Sequence, residues 1–124
     1  RRRNPTHGPS NAGGSPQVSA LPWREHPAAR EEYLDALAWY DDQEAGLGDR
    51  LGDDLDNGVD FIRKWPDSAP LYRGRQRNPR LRRMGTDVFT YGIIYFVRDN
   101  EVIVVAYAHE RRRPGYWRQR LKDL

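Results

Sequence analysis

The sequence predicts a single α+β domain in which a helical hairpin packs on a small antiparallel sheet, in the order β-α-α-β-β-β. Two observations lead to this prediction. Apolar residues recur at helical spacing between residues 27 and 65, and β-branched and aromatic residues dominate three segments between residues 81 and 108. Helices grouped apart from the strands are typical of the α+β class. The 124 residues are enough for one hydrophobic core and too few for two.

The N-terminal part contributes little to the predicted core. Residues 1–17 contain almost no apolar side chains, so we expect a flexible extension, followed by the folded domain over residues 18–124. A short first strand is predicted between Val18 and Trp23. Because Pro22 cannot donate a backbone hydrogen bond, this strand belongs at an edge of the sheet.

Two amphipathic helices follow the first strand. Pro27 suits the first turn of a helix, and Tyr33 and Tyr40 then recur on one face before Gly46-Leu47-Gly48 interrupts the pattern. The second helix ends at Trp65, because a residue before proline disfavours helical backbone angles. Its apolar stripe is spaced by four and then by three residues: Leu47, Leu51, Leu55, Val59 and Ile62. The glycines at positions 52 and 58 indicate close packing, since each costs about 1 kcal/mol relative to alanine.

Three later segments are rich in β-branched and aromatic residues and are predicted to be strands. They are Leu81–Met84, Val88–Val97 and Glu101–Ala108. A tight turn at residues 98–100 joins the last two, which predicts an antiparallel hairpin. Pro114 then starts a short C-terminal segment, for which we expect a helix.

Charge is distributed unevenly along the chain, although the net charge is only +3. Residues 25–60 contain twelve carboxylates against two arginines. Residues 63–83 contain eight bases against one acid, and residues 110–122 contain six bases against one acid. Twelve of those fourteen bases are arginines, the residue best suited to bidentate phosphate contacts. One half of the domain is therefore expected to attract a polyanion that the other half repels.

Several kinds of chemistry lack the residues that they need. The chain has no cysteine, which excludes thiol catalysis and disulfides and fits a reducing, cytoplasmic location. Its three histidines do not have the spacing of metal ligands, and neither a catalytic serine arrangement nor a glycine-rich phosphate loop is present. We therefore expect no metal and no cofactor. No apolar run approaches the roughly 20 residues of a membrane span, so we expect no membrane association.

The arginines are the remaining candidates for function. Side chains alternate along a strand, so Arg82 and Arg83 point to opposite faces, and one of them shares the face on which the last strand ends, next to His109. The loop before residue 81 and the segment after His109 are expected to join it in a basic, nucleic-acid-binding surface. The other members of this surface are Arg73, Arg75, Arg77, Arg80, Arg111 and Arg113. The alternative is that the arginines only keep the sheet soluble and pair with the acidic hairpin.

The order of several short motifs along residues 18–120 is informative. They are Pro27-Ala28-Ala29, Trp39-Tyr40, Gly46-Leu47-Gly48, Trp65-Pro66, Leu81-Arg82-Arg83, the strand Phe89–Tyr95, and an ending with His109, Arg112, Pro114, Tyr116, Trp117 and Arg120. In this ordered set the chain resembles the RelE/ParE superfamily, the toxins of bacterial type II toxin–antitoxin modules. The resemblance implies the β-α-α-β-β-β fold. It also implies a cognate antitoxin protein as partner, in a heterotetramer or larger complex.

The function that this resemblance implies has alternatives. RNA-cleaving members inhibit growth by cutting mRNA on the ribosome, without a metal, at a basic site beside the strand end. The matching catalytic positions are Arg82 or Arg83, His109, Arg112 and Tyr116. Other members bind DNA gyrase and have no cleavage chemistry, and Thr90-Tyr91-Gly92 lacks a charge where several RNA-cleaving members carry an arginine. A non-toxic homologue that only binds its antitoxin is the third alternative.

The expected cleavage mechanism is attack of the RNA 2′-hydroxyl on the adjacent phosphate. Arg82 or Arg83, together with Arg112, would stabilise charge on the phosphoryl oxygens. His109, with an ordinary pKa of about 6.5, would transfer protons. Tyr116 would be a second proton donor, with a pKa lowered by neighbouring arginines, or a stacking surface for a base. The alternatives are a strand-end histidine bonded to the backbone and an aromatic lid over the sheet at residues 116 and 117.

Overall fold

The computed structural model describes residues 20–75 and 77–124. These residues form the helices α1 (Pro27–Gln43) and α2 (Leu47–Lys64) and the strands β1 (Trp23–Glu25), β2 (Arg82–Gly85), β3 (Tyr91–Arg98) and β4 (Glu101–His109). Two 3₁₀ segments, Tyr72–Gly74 and Arg118–Asp123, precede β2 and follow β4. The predicted order of helices and strands is thus confirmed. The extension expected over residues 1–17 lies outside the described residues.

The four strands form one mixed sheet in the order β1-β4-β3-β2. β3 pairs antiparallel with β2 and β4, whereas β1 pairs parallel with β4 and places Trp23 opposite Val102. The prediction of a purely antiparallel sheet was therefore wrong for β1, because the direction of this strand depends on the path of the whole chain and not on its own three residues. β1 lies at the edge, as predicted, but it spans Trp23–Glu25, so of the described residues predicted for this strand only Trp23 belongs to it. Pro22, whose nitrogen has no hydrogen to donate, precedes the strand.

The two helices pack on one face of the sheet. The predicted stripe of α2 is buried at Leu51, Leu55, Val59 and Ile62. α1 begins at Pro27, where Nδ1 of His26 accepts the backbone N–H of Ala28 at 2.9 Å and so caps the helix. A Cβ on Gly58 would lie 2.7 Å from Cδ1 of Ile93, which is the close packing expected of a glycine inside α2. Neither α1 nor α2 is long and apolar enough to cross a membrane.

The C-terminal segment covers the other face of the sheet. Trp117 is only 2% exposed and packs edge-on against Tyr72, with ring centroids 5.1 Å apart. Both faces of β4 are therefore covered, and its residues 102–108 are all buried. The turn between β3 and β4 has Asp99 and Asn100 at φ angles of 53° and 60°, the left-handed pair that a two-residue hairpin needs. The aromatic lid that the sequence offered as an alternative is thus present at Trp117.

Candidate functional site

A cleft of about 260 Å³ opens beside the C-terminal end of β4. Its floor is buried and apolar, and is formed by Tyr72, Ile94, Ala108 and Trp117. Its walls carry Arg73, Arg83, Arg112 and Arg113. Glu110 is the one acidic side chain among the described residues that line it. We refer to it as the arginine cleft, and it brings together part of the basic surface expected from the sequence.

The register of β2 decides which of its two arginines lines the cleft. Arg83 lies opposite Ile94 of β3, on the face covered by the C-terminal segment. Arg82 lies opposite Tyr95 on the helix side, where its Nη1 donates to the carbonyl oxygen of Ala69 at 2.6 Å. Of the two alternatives, Arg83 is therefore the residue in the cleft. Arg82 holds the loop that precedes β2.

Gly92 provides the space that Arg83 occupies. A Cβ at Gly92 would lie 2.6 Å from Nη2 of Arg83, so the guanidinium rests on the glycine where any side chain would project. No carboxylate in residues 20–75 and 77–124 pairs with Arg83, and its charge is therefore available to a ligand. The guanidinium of Arg83, from the neighbouring strand β2, thus lies against the uncharged stretch Thr90-Tyr91-Gly92.

Both ring nitrogens of His109 are bonded within the protein. Nδ1 accepts the backbone N–H of Arg111 at 3.1 Å, so it carries no proton. Nε2 therefore carries the proton of the neutral ring and donates it to Oγ1 of Thr90 at 3.1 Å. The ring also packs edge-on against Tyr91 at a centroid distance of 5.1 Å. His109 lines the cleft, and it matches the alternative of a strand-end histidine bonded to the backbone.

Tyr116 lines the cleft but is tied to α1. Its hydroxyl donates to Oε2 of Glu32, and Arg120 donates to both oxygens of the same carboxylate at 3.0 and 2.9 Å. Burial raises the pKa of Tyr116 above its ordinary value, and the hydrogen bond to Glu32 raises it further. Arg112 and Arg120 do lower this pKa, but burial and Glu32 outweigh them, so the expectation of a lowered pKa for Tyr116 was wrong. Tyr116 is therefore held in its neutral form.

Arg112 stands over the ring of Tyr116. Its guanidinium carbon lies 3.8 Å from the ring centroid, and its Nη1 lies 4.0 Å from Oε2 of Glu32. The Arg112 side chain is 53% exposed and so remains accessible to a ligand. Arg112 can therefore bind an anion in the cleft while it stays on the aromatic ring.

The remaining predicted arginines divide into two groups. Arg73 and Arg113 line the cleft. Arg75, Arg77, Arg80 and Arg111 lie outside it. Arg77 donates instead to the carbonyl oxygen of Tyr72 at 2.7 Å, and Arg111 reaches His109 only through its backbone N–H. The cleft thus contains two of these six arginines, and the wider nucleic-acid-binding surface stays a prediction.

Glu32 was not predicted as a site residue. Its side chain is only 14% exposed. Its partners Tyr116 and Arg120 lie 84 and 88 positions away, so no spacing rule connects them. The adjacent pair Glu31-Glu32 is the one sequence feature that could have indicated it. Neighbouring helical positions are about 100° apart, so two adjacent acids beside the apolar stripe place one of them near the core.

The arrangement is built to bind an anion. Four arginines and one acidic residue line the cleft together with its apolar floor, and His109 lies among them with its Nε2–H bonded to Thr90. Arginine binds phosphate through two parallel hydrogen bonds, which adds geometric selectivity to charge. In the part of the chain that the structure describes, no group of three or more histidine, cysteine or acidic residues could hold a metal ion.

No protein-family model matches the chain, and no curated protein matches it. The fold is of the general α+β class that the RelE/ParE resemblance implies, with two helices packed on a small sheet. The assignment to that superfamily stays a prediction.

Proposed function

We propose that this chain is the toxin of a bacterial type II toxin–antitoxin module and that it inhibits growth by cutting ribosome-bound mRNA at the arginine cleft. One observation carries the proposal. Arginines from three separate segments, before β2, on β2 and after β4, line one cleft, and Glu110 is the one acidic residue among the described residues of that lining. Several guanidinium groups on one concave surface suit the successive phosphates of a nucleic acid.

Metal-free RNA cleavage has three tasks: stabilisation of charge on the phosphoryl oxygens, donation of a proton to the leaving oxygen, and removal of the 2′-hydroxyl proton. The cleft holds groups for the first two. Arg83 and Arg112 present N–H groups for the phosphoryl oxygens, on which charge accumulates as the 2′-hydroxyl attacks. His109 presents the Nε2–H that now reaches Thr90, and it would give this proton to the leaving oxygen once Nδ1 has taken up a proton, so that the ring passes from imidazolium to neutral imidazole. The third task is removal of the 2′-hydroxyl proton, for which His109 would first have to release the backbone N–H of Arg111.

A second candidate function is non-enzymatic inhibition of DNA gyrase through the same cleft. The observation in its favour is that both candidate proton carriers are engaged. Tyr116 donates to Glu32 and has a raised pKa, and His109 has both nitrogens bonded within the protein. A cleft that lacks a free base binds acidic groups without cutting. Both candidates depend on the charge of Arg83 and act in the cytoplasm.

Induced expression of the wild-type chain in bacteria separates the two candidates. Protein synthesis and DNA replication are followed side by side after induction. Early loss of protein synthesis, with new mRNA ends mapped inside ribosome-bound reading frames, is the expected result. DNA damage with continued translation would favour the gyrase candidate. Normal growth, with normal synthesis of both polymers, would contradict the proposed toxin.

Two arginine variants show whether the cleft carries the effect. Arg83→Ala removes a guanidinium from the cleft and is expected to relieve growth arrest. Arg111→Ala removes one from the same loop as Arg112 but outside the cleft, and it keeps the backbone N–H that His109 needs. Arg111→Ala is therefore expected to arrest growth like the wild type. Equal arrest by all three proteins, at matched expression and melting temperature, would contradict the assignment of the cleft.

The proposed antitoxin should neutralise this cleft. A segment with acidic and apolar side chains fits the arginine walls and the apolar floor, and we expect it to assemble with the toxin in a heterotetramer or larger complex. The protein encoded beside this chain is the candidate to purify. If it binds the double variant Arg83→Ala/Arg112→Ala as tightly as the wild type, charge coverage is not how it neutralises the toxin.

A further inference from the structure

We propose that Glu32 is the positioning residue of the arginine cleft: it fixes the ring of Tyr116 and, through that ring, holds the guanidinium of Arg112 where RNA binds. The statement about RNA rests on the proposed function. The statement about Tyr116 and Arg112 concerns contacts within the protein and is tested separately.

The carboxylate of Glu32 uses all of its hydrogen-bonding directions. Oε1 accepts the backbone N–H of Tyr107 and Nη1 of Arg120, each at 3.0 Å. Oε2 accepts Nη2 of Arg120 at 2.9 Å and the hydroxyl of Tyr116. An ionised carboxylate has about four acceptor positions, and here one donor from β4 and three from the C-terminal segment fill them. Glu32 therefore joins three parts of the fold and has little freedom to move.

The charge of Glu32 is balanced by Arg120 and not by Arg112. Arg120 binds both carboxylate oxygens, and its side chain is only 16% exposed, so this bidentate pair is shielded from solvent. Arg112 is farther away, at 4.0 Å, and half-exposed. Glu32 thus orients Arg112 without neutralising it, and the charge of Arg112 remains available for a phosphate.

Tyr116 transmits the position of Glu32 to Arg112. The guanidinium lies 3.8 Å from the ring centroid, where the negative face of the ring attracts a cation. The hydroxyl bond to Glu32 sets the direction of the ring, and the neighbouring Trp117 is buried in the core. Without Glu32 the ring can turn, and Arg112 loses its support. A displacement of about 1 Å is enough to break a hydrogen bond to phosphate.

The ionisation of Tyr116 reports this contact directly. Burial and Glu32 raise its pKa, whereas Arg112 and Arg120 lower it. Glu32→Gln keeps the size of the side chain but removes its negative charge. We expect the pKa of Tyr116 to fall by about one unit or more, measured as the difference in tyrosinate absorbance between each protein and its Tyr116→Phe counterpart. An unchanged titration would overturn the proposal.

Binding of a labelled single-stranded RNA of mixed sequence and about ten nucleotides tests the link to Arg112. Glu32→Gln is expected to weaken binding by about 10-fold, or 1.4 kcal/mol. In an Arg112→Ala background the same change should weaken it by about 2-fold or less, because Glu32 acts through Arg112. Glu31→Gln removes the same charge from the adjacent, exposed position and is expected to bind like the wild type. Equal losses in the two backgrounds would overturn the proposal.

Two further variants, Glu32→Asp and Tyr116→Phe, keep the proposal testable if Glu32→Gln does not fold. Glu32→Asp withdraws the carboxylate by one methylene. This variant takes the place of Glu32→Gln in the Tyr116 titration and in the RNA-binding assay. Tyr116→Phe removes only the hydroxyl, so it should weaken RNA binding in the wild type and not in the Arg112→Ala background. Wild-type affinity in Tyr116→Phe would contradict the role of Glu32. If the wild type does not bind the RNA at all, the proposed function fails, and crystal structures of the wild type and Glu32→Gln test the positioning itself: an unmoved Tyr116 ring and Arg112 guanidinium would overturn the role of Glu32.

Discussion

Gly92→Ala, which adds a methyl group at position 92, is expected to weaken RNA binding without lowering the stability of the domain. In the wild type the guanidinium of Arg83 rests on Gly92, and a Cβ there would lie 2.6 Å from Nη2, against an ordinary contact of 3.4 Å or more. Gly92→Ala must therefore displace the guanidinium by about 1 Å. The displaced atoms belong to the end of a long, half-buried side chain, which can turn outward without disturbing the core.

The two expected effects of Gly92→Ala have opposite signs. A charged hydrogen bond contributes about 1.5–3 kcal/mol, and partial loss of one such contact should weaken RNA binding by about 10-fold. Glycine inside a strand is less stable than alanine by about 0.5–1 kcal/mol, so the free energy of unfolding should stay the same or rise. A variant that melts no earlier than the wild type yet binds RNA more weakly is the expected result.

Fluorescence anisotropy with the labelled single-stranded RNA, together with thermal melting, measures both effects. The matched background is Arg83→Ala, in which Gly92→Ala should change the affinity by about 2-fold or less, because the displaced group is already absent. Wild-type affinity in Gly92→Ala would refute the position of Arg83 in the binding site. An equal loss in both backgrounds would show that the methyl group acts on something other than Arg83.

Three further predictions concern stability. Gly58→Ala should not raise the free energy of unfolding in denaturant titrations, because its Cβ would lie 2.7 Å from the fully buried Ile93 and the cost of about 1–3 kcal/mol offsets or exceeds the gain of about 1 kcal/mol in helix propensity; a rise in stability would contradict the close packing. Burial raises the pKa of Tyr95 from 10.0 to about 12, so the native state favours the neutral phenol, and this stability is lost as the pH rises from 10 through 12; Tyr95→Phe should show a smaller alkaline loss in melting temperature, and an equal loss would count against it. Arg82→Ala should lower the free energy of unfolding by about 1 kcal/mol without weakening RNA binding, and a selective loss of RNA affinity would reverse the roles given to the two β2 arginines.

The parts of the fold that follow from local periodicity could be predicted from the sequence. The stripe from Leu51 to Ile62 is buried because a helix returns to the same face every 3.6 residues. The turn at Asp99 and Asn100 follows from residue types that tolerate positive φ. The parallel pairing of β1 could not be predicted, because three residues carry no information about strand direction.

The candidate site was predictable only to the extent that it depends on neighbours along the chain. Alternation on β2 reduced the choice to Arg82 or Arg83, and only the register against β3 resolved it. The pKa of Tyr116 was predicted in the wrong direction because its sequence neighbours are basic, whereas Glu32 arrives from α1 at a separation of 84 positions. Contacts between distant segments decide the chemistry of this cleft.

The salt dependence of RNA binding tests most directly the claim that the arginine cleft binds the phosphates of RNA. The logarithm of the binding constant of a single strand falls with the logarithm of the salt concentration, with a slope of about −0.7 for each phosphate contact. Arg83→Ala should therefore reduce the magnitude of the slope by about 0.7 relative to the wild type, and Arg111→Ala should leave it unchanged. Equal slopes for the wild type and Arg83→Ala would contradict a phosphate contact at Arg83, and an equal reduction in both variants would show that RNA follows the overall charge of the protein and not the cleft.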